Sequence, residues 1–224
     1  MKFFSYDSPV SQILLKLSWS CYLNLLWLLC SLPVFTIGAS TTALYAVTLK
    51  IAAEKEGNLT VQFFRAFRDN FRQATVLWLI LLCAGGALAA DGYILYHLFQ
   101  STQGAAAVLW TLISALVIAA SVAYGIILIY VFPLTASVYN TNGAMLKNAL
   151  FIGLRYLFCT VLVAAIHFAM FYAVVALFTP LLIFGEGLCA LLSSYLLSGV
   201  IRVCAAAPDS AADMTEGTER GEKS

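Results

Sequence analysis

Ile37-Gly38-Ala39-Ser40-Thr41-Thr42-Ala43-Leu44-Tyr45-Ala46-Val47-Thr48-Leu49-Lys50-Ile51-Ala52-Ala53 is the segment whose reading decides the fold of this chain. Thr36, Ser40, Thr41, Thr42 and Thr48 make it more polar than its neighbours, and Lys50 stands near its end. If it does not cross a membrane, Lys2 and Lys16 lie on the opposite side from Lys50, Lys55, Arg65, Arg68 and Arg72. If it does cross, all twelve Lys and Arg fall on one side. Positive charge gathers on the cytoplasmic side of membrane proteins, so charge placement prefers the second arrangement. Ser and Thr are tolerated in a span because they bond to neighbouring helices or to their own backbone. Pro33 then marks a tight outer turn between the first and second spans. A re-entrant hairpin over residues 37–53 leaves the same sidedness and is the rival reading.

Around this segment lie five plainer apolar stretches, Ile13–Phe35, Ala74–Phe99, Ala105–Phe132, Tyr156–Ile183 and Gly187–Cys204. A span takes about 20 residues. The expectation is an all-α polytopic transmembrane helix bundle of about six spans with a cytoplasmic amphipathic helix. Composition agrees: of 224 residues 62% are hydrophobic and 10% charged, against about 25% charged in soluble domains. A net charge of +1 gives no bulk attraction to nucleic acid. Residues 1–204 read as one membrane domain, and 205–224 as a polar, acidic tail expected to be disordered. Lys2 and Lys16 ahead of Leu17–Phe35 resemble a signal peptide. The run is longer than a signal core and lacks an A-x-A pattern, so it reads as a retained span. The inner segments are then Met1–Gln12, Glu54–Gln73, Pro133–Arg155 and the tail, with both termini cytoplasmic. Trp78 falls near an inner end and Trp110 near an outer one, as interfacial belts require.

The inner segment Thr60–Gln73 predicts an amphipathic helix along the membrane surface. Phe63, Phe64, Phe67 and Phe71 share one arc of a helical wheel, Arg65, Arg68 and Arg72 the adjoining arc, and Thr60 is placed to cap the start. Phe64, Arg65, Phe67, Arg68, Phe71 and Arg72 are the candidate docking or lipid-contact surface. The plain alternative is a helix packed beneath the bundle with its arginines reaching lipid phosphates. Phe64-Arg65-Ala66 through Phe71-Arg72 also aligns with Lys147-Asn148-Ala149 through Leu154-Arg155, a short internal repeat of the kind transport folds carry.

Ionisable groups within spans are functional candidates by default. Asp91 reads as lying in the outer half of the third span, His97 near its end, His167 near the middle of the fifth, and Glu186 at the outer turn before the last. Asp91, His167 and Glu186 are the polar candidates, each with the plain alternative of an ordinary satisfied side chain. With two histidines there is no H-E-x-x-H, and G-x-G-x-x-G, G-x-x-x-x-G-K-[ST] and G-x-S-x-G are all missing. No catalytic, cofactor-binding or metal site is expected. The six cysteines form no C-x-x-C pair and read as reduced packing residues. Gly85, Gly86, Ala89 and Ala90, with Ala115, Ala119 and Ala123, form small-residue faces suited to close helix contact. The internal bundle is their expected user, and oligomerisation, whose state is open, the second.

The run Leu25-Leu26-Trp27 to Ser31-Leu32-Pro33-Val34-Phe35-Thr36-Ile37-Gly38-Ala39-Ser40-Thr41-Thr42-Ala43-Leu44-Tyr45 resembles the signature of the YesL family. Phe63-Phe64-Arg65-Ala66-Phe67 with Asn70-Phe71-Arg72-Gln73-Ala74 does so too. These are bacterial membrane proteins with a domain of unknown function, and the resemblance runs to about Ala205. It implies the bacterial cell membrane, no catalytic residues, and an accessory role in carbohydrate uptake, because members often accompany carbohydrate ABC transporter components. The alternative is a permease in its own right. Asn148-Ala149 followed by Gly153 is similar to the inner-loop helix by which importer permeases dock on their ATPase, although the acidic residue and later proline are absent. Within the signature, Pro33 ends a helix by removing a backbone donor. Gly38 and Ser40 suit a close packing turn.

Overall fold

The computed structural model describes residues 9–55, 57–101, 105–177 and 185–201, and these are helical apart from short connections. The elements are α1 (Pro9–Cys30), a 3-10 turn (Val34–Thr36), α2 (Ile37–Ala52), α3 (Leu59–Ser101), α4 (Ala105–Ser137), α5 (Asn142–Arg155), α6 (Leu157–Tyr172, extended by a π turn, Ala173–Leu177) and α7 (Gly185–Ile201). The expected all-α bundle is what forms. Five described helices are long and apolar enough to cross a membrane, and α7 is a shorter apolar helix. The tail 205–224, Lys2 and Cys204 lie outside the described residues.

Burial divides the helices sharply. α2, the most polar of the apolar segments, is the most enclosed, with Ala39, Ala43, Leu44 and Ile51 fully covered. By contrast, Leu116 on α4 is 70% exposed and Phe158 on α6 81% exposed. Large apolar side chains left facing outward on several helices are what a chain solvated by lipid presents. The hydroxyls of α2 make its enclosure tolerable. Thr42 Oγ1 donates to the Gly38 carbonyl (2.8 Å) and Thr48 Oγ1 lies 3.0 Å from the Leu44 carbonyl. Thr48 and Ser194 of α7 are linked hydroxyl to hydroxyl at 2.8 Å. These are the backbone and interhelical bonds expected of Ser and Thr in a span.

α3 is one uninterrupted helix of 43 residues, about 65 Å at ~1.5 Å per residue. The predicted amphipathic helix is therefore not a separate surface element but the first third of α3. Nothing between Gln73 and Ala74 breaks a helix, so the polar segment runs straight into the apolar one. Its cap is Asn58, whose Oδ1 accepts from the Val61 N–H at 3.2 Å. Thr60, the expected cap, pairs with Tyr22 of α1 at 2.8 Å instead.

α2 packs along the beginning of α3, and Gly38 lies against Ala74 and Trp78. The indole of Trp78 donates to the Val34 carbonyl at 2.8 Å, tying it to the α1–α2 turn. That turn and the end of α3 at Ser101 are thus separated by more than 20 residues of helix, about 35 Å. At the other end of the α3–α4 pair, Gln73 Nε2 donates to the Asn140 carbonyl at 2.7 Å. α5 folds back along α4, seating Gly153 on Ile126 and Tyr130, and the chain breaks at Tyr156 before α6. The repeat read between the starts of α3 and α5 accordingly differs in its outcome: one half continues into its span and the other does not.

Candidate functional site

The packing turn is built from the residues its sequence suggested. α1 ends at Cys30, and Thr36 Oγ1 lies 2.6 Å from both the Cys30 and Pro33 carbonyls, satisfying helix-end groups that Pro33 would leave bare. Ser31 and Ser40 join hydroxyl to hydroxyl at 2.6 Å, fastening α1 to α2 across the turn. A Cβ at Gly38 would stand 2.5 Å from the Ala74 carbonyl oxygen and from Trp78 Cβ, so only glycine admits this approach.

The basic and aromatic residues of α3 separate by face. Phe63 is fully buried and Phe67 half-buried, whereas Phe64, Arg65, Arg68, Phe71 and Arg72 are exposed. Phe67 and Phe71 meet edge to face, with centroids 5.4 Å apart. A shallow cleft beside this ridge is lined by Thr60, Val61, Phe64, Arg65, Arg68 and Asp69. The ridge is mixed in charge, because Asp69 stands among the arginines.

Of the three polar candidates, the structure brings two together. His167 of α6 and Glu186 at the start of α7 line one interhelical cavity of about 300 Å³, with Trp27, Thr41, Tyr45 and Trp78 among its other walls. The Glu186 carboxyl has His167, Tyr45 and Cys189 as electrostatic neighbours. His167 Nδ1 lies 2.9 Å from the Val163 carbonyl. A carbonyl only accepts, so Nδ1 carries a proton and Nε2 is the ring nitrogen left for the cavity. The start of α7 is held by Asn24, whose Oδ1 accepts from the Gly187 N–H at 2.8 Å. A side chain at Gly187 would collide with the Ser20 carbonyl, so α7 lies directly on α1. Asp91 is exposed on the part of α3 beyond the α1–α2 turn and does not line the cavity. His97 stacks on Tyr93 and Tyr96.

Residues 21–92 match the family described as protein of unknown function, DUF624. The resemblance to the YesL family is consistent with that match. No curated protein and no solved structure shows significant similarity to the chain.

The DUF624 region takes in the packing turn, the basic ridge and five cavity residues, Trp27, Ile37, Thr41, Tyr45 and Trp78. His167 and Glu186 come from beyond it. Sequence reading named both but placed them at different depths, and missed Tyr45 and Trp27 as cavity walls. The one signal that could have found Tyr45 is its place four residues after Thr41, on the same face of α2. Trp78, read as a belt residue near the inner end of its span, donates to the α1–α2 turn, which was read as an outer turn; the structure puts the two at one level along α3, so those two readings do not both hold. The small-residue faces also differ from expectation. Gly85 receives Tyr124, but Ala89, Ala90, Ala115 and Ala119 are exposed rather than used by the internal bundle. Cys21, Cys30, Cys83, Cys159 and Cys189 are free thiols. Among the described residues no three His, Cys, Asp or Glu side chains converge as metal ligands.

Proposed function

We propose that this protein is a non-enzymatic accessory subunit of a bacterial cell membrane, multi-pass with both termini cytoplasmic, that docks on a carbohydrate ABC transporter component through the start of α3. The observation that carries the docking reading is the ridge itself. Arg65, Arg68 and Arg72 stand exposed beside Phe64 and Phe71 on a rigid, continuous helix, in a part of the chain whose charges the positive-inside rule assigns to the cytoplasm. Apolar anchors flanked by arginines suit a protein surface carrying acidic groups. The carbohydrate connection rests on the family resemblance. Lipid phosphate is the competing occupant, since each basic residue near an anionic leaflet gains about 1 kcal/mol. Purification from native membranes tests the reading. Recovery of a carbohydrate transporter component, reduced by the triple Arg65→Gln, Arg68→Gln, Arg72→Gln variant in a salt-dependent way, supports it. Recovery of no transporter component in several mild detergents contradicts it.

A second reading, a transporter in its own right, is favoured by the cavity that His167 and Glu186 line with residues of α1, α2, α3 and α4. A carboxylate and an imidazole facing one another between apolar helices are the kind of pair that marks a substrate or ion path. Vesicles reconstituted with the purified protein should then accumulate a labelled solute, and absence of uptake with and without an ATPase partner removes this reading.

A further inference from the structure

The cavity walled by α1, α2, α3, α4, α6 and α7 has few free donors. The indole N–H of Trp27 is spent on Thr41 Oγ1 at 3.0 Å, and that of Trp78 on the Val34 carbonyl. The His167 Nδ1 proton is spent on the Val163 carbonyl. The Tyr45 side chain lines the cavity as well, and the buried Ser193 Oγ has no hydrogen-bond partner among the described residues. The Thr41 and Tyr45 hydroxyls are the donors left. The other walls are the Glu186 carboxyl, the His167 imidazole, and the aromatic side chains of Trp27, Trp78 and Phe132. Among the described residues no Lys or Arg lines the cavity, and the ionisable neighbour of the Glu186 carboxyl there is the His167 imidazole.

Each class of small ligand can be weighed against that inventory. An anion meets a carboxylate and no cationic partner. A neutral polyol finds the Thr41 and Tyr45 hydroxyls but not the indole donors, and it brings no charge to the Glu186 carboxyl. A bare metal ion requires several oxygen or nitrogen ligands, and the carboxylate and one imidazole do not supply a shell. A protonated amine fits every element. It brings donors to the carboxyl and imidazole, a positive charge to a carboxyl group with no Lys or Arg among its described neighbours in the cavity, and alkyl groups to apolar walls, and aromatic faces attract cations through their quadrupole. A volume of about 300 Å³ accommodates a molecule of a few heavy atoms.

We propose that this cavity binds a small organic ammonium ion, its N–H groups shared between the Glu186 carboxylate and His167 Nε2 and its alkyl chain lying against Trp27, Trp78 and Phe132. The assignment does not depend on the docking of α3.

The test uses the full chain, purified in lipid nanodiscs and titrated with butylammonium chloride at constant ionic strength. Tryptophan fluorescence and thermal unfolding are followed. Sodium butyrate, glucose and sodium chloride serve as matched probes. The expected result is a saturable fluorescence change with a raised Tm for butylammonium alone. Glu186→Gln, checked for unchanged helical signal and elution volume, should weaken binding at least tenfold. No saturable response to butylammonium, an equal response to butyrate or glucose, or undiminished binding by folded Glu186→Gln would each overturn the proposal. The first two outcomes are read on the unaltered protein and stand even where the variant misfolds.

Discussion

Gly38 leaves its neighbours no slack, because the Ala74 carbonyl and Trp78 occupy the space a side chain would need. Gly38→Val should therefore force α2 away from α3 and cost about 1–3 kcal/mol, the usual penalty of overpacking. A thermal unfolding series in detergent, with Gly86→Val as the unencumbered control, measures it. Thr48 works differently. Thr48→Val keeps the shape but strands the Ser194 hydroxyl, so the loss should be about 0.5–1.5 kcal/mol, the range of interhelical hydrogen bonds in membranes. At this scale the sequence was informative where chemistry is local. That Ser and Thr would bond to the backbone of α2 followed from their type alone. The meeting of Glu186 with His167 did not, because it is made by how α6 and α7 cross, and residues 19 positions apart on different helices share no periodicity.

α3 shows what a helix can conceal from a linear reading. Its amphipathic start was legible from the phenylalanine and arginine arcs, but the joining of that start to the apolar half was not, since the absence of a breaker leaves no mark to read. The phenylalanines, one arc in sequence, are split by packing: Phe63 is enclosed and Phe64 is not. Phe63→Ser should then lower stability by roughly 3 kcal/mol or more, as large-to-small changes at buried aromatics do, and Phe64→Ser by far less. Equal effects of the two on the unfolding midpoint would contradict the assignment of faces. Replacing Arg65, Arg68 and Arg72 with Gln should leave that midpoint within about 0.5 kcal/mol of the parent, because exposed side chains away from buried networks contribute little. The loss should appear in partner recovery.

Taken as a whole, the molecule is a set of helices whose connecting turns do not share one level. The α1–α2 turn sits beside Trp78, far along α3 from Ser101. Spin labels at Leu32→Cys and Leu98→Cys should be about 30 Å apart, because some 20 residues of helix separate their levels. A separation near 15 Å would place both turns together and contradict the packing of α2 on the start of α3. Membrane character was legible from composition. The offset of the turns was not, because hydropathy reports which segments are apolar and says nothing of where along a long helix a shorter one packs.

Sidedness underlies both the docking reading and the placement of the basic ridge, and one measurement reaches it directly. In a cysteine-free background that retains expression, single cysteines are placed at Lys2, Arg68 and Arg220 and treated with a membrane-impermeant maleimide. The treatment is applied to intact cells and, separately, to inverted membrane vesicles. Protection in cells and labelling in inverted vesicles at all three positions is the predicted result. Labelling of positions 2 and 220 from opposite sides, or of position 68 in intact cells, would contradict it.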